Sequence, residues 1–302
     1  MAAIATQEPT STDGLSAVFL IIGLVVVFGS IIGGFLMEGG HLAVLIQPAE
    51  LVVIGGAGLG SFIVGNPVSV IKGSVQQILG MLKPNPYSEK AYGELLQALY
   101  DVFQKARKDG LVGLEAHIEE PDKSDIFKKY PGFMHHPDAV AMLCDTLKVL
   151  LTGAVEDHHL EAILDADLEQ QHAEAMVVPT AITKVGDAMP GFGIVAAVLG
   201  IINTMNAIGG AASAIGEKVG AALVGTFLGI LLSYGVLGPI AQGVEVRIRS
   251  HAAYMLCIKT ALLAFARGDS PMSAVEFARR NIEPEDRPSF AELENLTRRR
   301  AA

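Results

Sequence analysis

Two prolines, Pro190 and Pro239, stand inside the longest stretches of this 302-residue chain that carry no charge. Asp187 and Glu217 enclose 29 uncharged positions, and Lys218 and Glu245 enclose 26. A run of about 20 apolar residues crosses a bilayer, so each proline falls within a predicted transmembrane helix. Proline has no N–H to give and leaves one helical carbonyl without its donor. In lipid, that carbonyl must be met by a neighbouring helix or by water. Two readings follow: the prolines kink the bundle, or loosened backbone lines a polar path. Thr226 and Ser233, seven residues apart, share a helix face and would line the same path. From Ala188 to Val244 the only charged or histidine residues are Glu217 and Lys218. Ion pathways ordinarily use such groups. An ion-moving role therefore needs a titrating group from a partner helix.

The elements that hold these residues follow from charge and periodicity. The chain is 51% hydrophobic, with 33 glycines and no Trp, which points to membrane spans rather than one soluble core. Residues 1–13 are a polar tail with no Lys or Arg, and so lack the basic n-region of a signal peptide. A first hairpin covers 14–65, with spans at about 14–37 and 42–65. A second covers 185–244, with spans at about 185–212 and 219–244 joined by a polar turn at Glu217–Lys218. Gly29-x-x-x-Gly33 and Gly56-x-x-x-Gly60 have a spacing that lets helices approach closely, so a tight first hairpin is expected. Glu50 follows Pro48 near the start of the second span. An acid inside a span is a functional hypothesis by default, but Glu50 is close enough to the interface to read as a structural cap or packing group.

Between the hairpins, residues 66–184 regain charge and a helical period. Tyr92, Leu95, Leu96, Leu99 and Phe103 mark one amphipathic helix, stopped at Gly110. Val140, Leu143, Leu147, Leu150 and Leu151 mark another, opening at Pro137 and closing at Gly153. Leu160, Ile163, Leu164 and Leu168 mark a third. Residues 245–302 form a C-terminal helical region. Its first stretch continues the fourth span, and Lys259 divides that stretch too early for a fifth span. The last 30 residues read as a surface helix or a loose tail. The predicted fold class is all-α: a polytopic membrane protein with four transmembrane helices and a helical cytoplasmic domain inserted between spans two and three.

Topology follows from the cations. None of the 22 Lys and Arg precedes Lys72; ten fall between Lys72 and Lys148, and ten between Arg247 and Arg300. The positive-inside rule puts the insert and both termini in the cytoplasm. A net charge of −10 with no basic stripe argues against nucleic acid as a partner. Cys144 and Cys257 read as buried, reduced thiols. The pairs His135–His136 and His158–His159 read as solvated or cap-forming side chains without metal-ligand spacing. No zinc-protease, nucleophile-elbow, P-loop or dinucleotide motif is present. No cofactor is expected, and the chain does not read as an enzyme.

The stretches QPAELVVIGGAGLGSFIVG, PGFGIVAAVLG, LVGTFLGILLSYG followed by GPIA, and RPSFAELE occur in that order along the chain. Together they resemble the MotA family, the larger stator subunits of the bacterial flagellar motor, over about residues 15 to 298. The resemblance implies a ring of five subunits in the inner membrane around two copies of a single-span, MotB-like partner. That partner would supply the missing membrane aspartate. It implies roles in conduction and torque for Pro190 and Pro239, and contact with a rotor switch protein through Arg107 and Glu115. By their sequence surroundings alone, both charges are solvated-face residues. Sodium-using relatives carry a threonine where this chain has Ala197, which offers no oxygen. Thr226 is a single hydroxyl, so the proton is the expected coupling ion and sodium is disfavoured. A TolQ- or ExbB-like energiser of envelope transport would have three spans in another order. A scaffold that conducts nothing would tolerate alanine at both prolines.

Overall fold

The computed structural model describes residues 15–153, 156–205 and 212–298; the tail expected at 1–13 lies outside them. Among the described residues every regular element is helical. In chain order the α-helices are α1 Leu15–Met37, α2 Pro48–Gly65, α3 Val68–Gly80, α4 Glu89–Asp109, α5 Glu115–Glu119, α6 Pro131–Met134, α7 Pro137–Leu151, α8 Asp157–Met205, α9 Ala212–Ile230, α10 Gly238–Ala266, α11 Pro271–Arg279 and α12 Phe290–Arg298. Four stretches are long and apolar enough to cross a membrane: Val18–Met37, Leu42–Gly65, His158–Met205 and Ile215–Ala266. The chain is thus an all-α protein with four membrane-spanning segments.

Two compact units emerge, Met1–Asn85 with Glu174–Val246, and Pro86–Ala173 with Arg247–Ala302. The second has tighter borders than the charged insert of the sequence, because α3 and residues 174–184 group with the first unit. It also includes the C-terminal region.

In the first unit, α2 begins only at Pro48, behind a single 3₁₀ turn at Leu42–Leu45. Proline drives the residue before it out of helical conformation, and Gln47 is accordingly extended, with φ −116° and ψ 91°. The expected tight hairpin of the first two spans does not form. α2 packs against α9 and, through Ile54, against Met189 and Ala196 of α8, while α1 touches the segment just after α9. A side chain added at Gly29, Gly33, Gly56 or Gly60 would meet nothing within 4 Å. The expected turn at Glu217–Lys218 is also corrected, since both residues lie within α9. Glu and Lys favour helix.

The second unit has one apolar core. Leu95, Leu96, Leu99 and Phe103 of α4 pack with Leu143 and Leu147 of α7, Leu160 and Leu164 of α8, and Tyr254, Ile258 and Leu262 of α10. Phe103 stacks on Phe265 with ring centres 4.5 Å apart. Gly110 and Gly153 end α4 and α7 with φ of 77° and 66°, a conformation glycine adopts without strain. Lys259 is buried and paired with Asp165, so its charge is met by protein. The helices α11 and α12 are not loose. Ala274, Val275 and Ala278 of α11 and Leu293 of α12 belong to the core. A reciprocal capping box opens α12: Ser289 N donates to Glu292 Oε2 (2.6 Å) and Glu292 N to Ser289 Oγ (3.2 Å).

Candidate functional site

The site is built on the seam between α8 and α9, where glycines let two backbones touch. A side chain at Gly193 would come 2.8 Å from the carbonyl oxygen of Gly225 and 3.2 Å from the Cα atoms of Gly229 and Thr226. At Gly229 it would come 2.6 Å from the Met189 carbonyl oxygen. Farther along, Gly200 faces Ala222 (2.9 Å), and Gly186 faces Leu237 (3.3 Å) and the Gly238 amide (4.0 Å). Gly186, Gly193 and Gly200 recur every seven residues, a small-residue stripe that makes close helix packing possible in lipid. That period was legible in the sequence and is the signal that marks this seam.

The contacts fix an antiparallel register. Thr226 lies level with Ala197, and Ser233 level with Pro190. All four belong to one apolar wall, with Ser233 buried and the other three half-buried. The two prolines themselves are not level, as simple antiparallel neighbours would be. Pro239 follows the Gly186–Gly238 contact, about five residues or roughly 7 Å further along the helix than Pro190. The offset follows from where the two prolines sit in this register, and a wide turn precedes the second. Residues Leu231–Leu237 form a π-helical segment, in which the Gly238 N–H reaches back to the Ser233 carbonyl. A wide turn of this kind accommodates a following proline whose ring would otherwise strike the carbonyl four residues earlier. Those carbonyls belong to Gly186 for Pro190 and to Gly235 for Pro239, so each is flanked by no side chain of its own.

Of the two structural roles read for Glu50, cap or packing group, the structure shows the second. Glu50 does not cap α2. Its side chain is 8% exposed and lies against Gly200 and Gly225, and Oε2 has no hydrogen-bond partner among the described residues.

Arg107 and Glu115 belong to the second unit. Arg107 projects from the last turn of α4, where the helix dipole favours a cation. Glu115 opens α5, anchored by buried Leu114 and Ile118. Both are exposed, and neither forms an ion pair among the described residues. Their neighbours Lys105 and Asp109 neutralise each other at 2.6 Å.

The histidine pairs divide. His135 is exposed and its Nδ1 lies 2.6 Å from the Pro131 carbonyl, as a cap. His136 is not solvated: it stacks on Tyr87 at 5.0 Å, and burial followed by repulsion from His251 pulls its pKa below the ordinary histidine value. Glu156, His158 and His159 bring ligand atoms within 4.8 Å of one another, all exposed. Cys144 and Cys257 are free and buried, and burial pushes the Cys144 thiol up to about 11.

Residues 21–110 match the family described as Motility protein A N-terminal, and residues 139–256 match the MotA/TolQ/ExbB proton channel family. The chain is 39% identical over 279 residues to motility protein A of Salmonella typhimurium, covering 92% of this chain and 95% of that one. Its fold is similar to that in the structure of C. jejuni MotAB, with a TM-score of 0.71, 17% identity, and 90% of this chain and 98% of that chain covered. It is also similar to the flagellar MotAB stator complex from Bacillus subtilis, with a TM-score of 0.66, 21% identity, and coverages of 85% and 92%. The chain belongs to the motility protein A family, within the MotA/TolQ/ExbB proton channel family.

Proposed function

We propose that this chain is the larger, ion-conducting and torque-generating stator subunit of a bacterial flagellar motor. It couples inward proton flow, in complex with a MotB-like single-span partner, to rotation of the rotor. The observation that carries this reading is the α8–α9 wall. It aligns Ala197 with Thr226 and Pro190 with Ser233 along a stretch with no titratable side chain of its own. Such a wall serves proton transfer only when a second chain brings the acid. Five copies around two partners would enclose that acid, in contact with membrane lipids outside the ring. The cation distribution supports an inner-membrane, multi-pass topology with both termini, and the second unit, in the cytoplasm. The chain is a conduit and a lever rather than an enzyme, with no cofactor beyond the coupling ion. Ala197 supports protons over sodium, since a hard cation seeks several oxygens and this level offers only the Thr226 hydroxyl.

The reading is tested by deleting the gene, staining for flagella and recording swimming with and without sodium. Flagellate, paralysed cells rescued by the gene in trans, without sodium, are the expected result. Normal swimming of the deletion strain would end the stator reading.

Arg107 and Glu115 are the proposed contacts with the rotor switch protein, being exposed and without an ion-pair partner among the described residues. Exposed pairs contribute about 0.2–1 kcal/mol each, which suits contacts that form and break at every step. Arg107→Glu and Glu115→Lys are each expected to slow swimming modestly, and the double exchange to slow it severely. Double-variant cells swimming at wild-type speed would remove the rotor role.

A further inference from the structure

Glu50 is a carboxylic acid in the first turn of a span, and its surroundings are built to hold it there. The carboxyl lies where α2, α8 and α9 meet. A side chain at Gly225 would come 2.7 Å from Oε2, and one at Gly200 would come 3.4 Å from Oε1. Both glycines thus leave the space that the carboxyl fills. Oε2 is buried without a hydrogen-bond donor among the described residues. Leaving an ionised oxygen without a donor in an apolar setting is among the costliest arrangements a fold can keep. The site therefore calls for a species that arrives from outside the chain.

The charged groups that could face it are few. From α8 the nearest in sequence are Lys184 and Asp187, more than three helical turns from Gly200. From α9 they are Glu217 and Lys218, with Lys218 one turn before Ala222 on the same face. From α3 there is Lys72, and from the turn before α2 there are Glu38 and His41. None forms an ion pair with Glu50 among the described residues. Among the described residues no group of His, Cys, Asp or Glu ligands gathers at the carboxyl to hold a metal cation, whereas one carboxylate suffices for a proton.

The register also gives Glu50 a rank. Gly200 and Ala222 lie beyond the Ala197–Thr226 level, on the side opposite Pro190 and Pro239. In the topology proposed above, this is the outer limb of the path. We propose that Glu50 is a proton-relaying carboxyl on that limb, loaded from external water before the proton reaches the partner's aspartate. An O–H bond forms on the Glu50 carboxylate at the expense of a hydronium ion outside. It breaks again as the proton passes inward through water to the ionised aspartate, which regenerates the carboxylate. This proposal rests on the stator reading and adds a second acid, from this chain, to the path.

The test compares the deletion strain carrying the wild-type gene, Glu50→Gln, Glu50→Asp or no gene. Swimming speed is recorded between external pH 5.5 and 8, as a range of about 300-fold in proton concentration. Membrane level and co-purification with the tagged partner are measured for each variant. Glu50→Gln keeps the volume and removes the exchangeable acid, so it is expected to be assembled normally yet to lose proton flow by about 100-fold, the usual scale for a lost proton-transfer group. Glu50→Asp is expected to swim with a displaced pH profile, which a group that only packs would not produce. Glu50→Gln cells that swim like wild type at every pH would overturn the proposal while leaving the stator reading intact. So would a Glu50→Gln protein that fails to assemble together with a Glu50→Asp profile identical to wild type. A deletion strain that swims normally would overturn both.

Discussion

Gly229→Ala is expected to abolish swimming, although it adds a single methyl group. That methyl would stand 2.6 Å from the Met189 carbonyl oxygen and 3.0 Å from the Cα of Gly193. Both are backbone atoms of α8, which cannot turn aside as a side chain can. The helices must separate, at a cost of about 1–3 kcal/mol for an overpacked site. The same separation disturbs the levels at which Ala197 meets Thr226 and Pro190 meets Ser233. Gly220→Ala, on the same helix, meets nothing within 4 Å and is expected to swim normally. Swimming speed and recovery of the complex with its partner decide the matter. A Gly229→Ala strain as fast as the Gly220→Ala strain would show that the α8–α9 seam opens without consequence.

Pro190→Ala and Pro239→Ala are expected to stop swimming for the opposite reason, since each makes its helix more regular. Alanine at 190 restores an N–H that can reach Gly186, and alanine at 239 one that can reach Gly235. Alanine is about 3 kcal/mol more favourable than proline in a helix interior. The variants should be made at wild-type levels and melt no lower than wild type, yet fail to generate torque. Loss of function without loss of stability is the signature of local strain kept for a purpose. Wild-type swimming by both variants would reduce the prolines to kinks. Poor expression of both would make them folding determinants.

The spans and the core of the second unit were legible because each rests on a short-range pattern. Charge-free runs mark the membrane segments, and the period through Tyr92, Leu95, Leu96, Leu99 and Phe103 marks α4 before any partner is known. Gly110 and Gly153 announce their own helix ends. Glu50 was not legible as a buried acid, because the glycines that enclose it, Gly200 and Gly225, lie 150 and 175 residues away. The offset between the prolines was hidden as well, since it depends on the register of α8 against α9, which no local pattern announces. The first hairpin misled because a Gly-x-x-x-Gly spacing permits close approach without specifying a partner. The C-terminal helices misled through their charge, although the Ser289–Glu292 box that starts α12 stands openly in RPSFAELE.

The π-helical segment Leu231–Leu237 bears on how this chain can change in length. A turn closed by bonds five residues apart holds one residue more than a turn closed by bonds four apart. A span built this way carries the imprint of an inserted residue that its neighbours have absorbed. Losing one residue between Leu231 and Leu237 would relax the wide turn to ordinary helix and leave the side chains beyond it facing as before. The same loss within Ala212–Ile230 would turn everything beyond it by about 100°. Gaps between related chains in this span should therefore gather at the wide turn, and a relative lacking that residue would also lack the room that its proline requires.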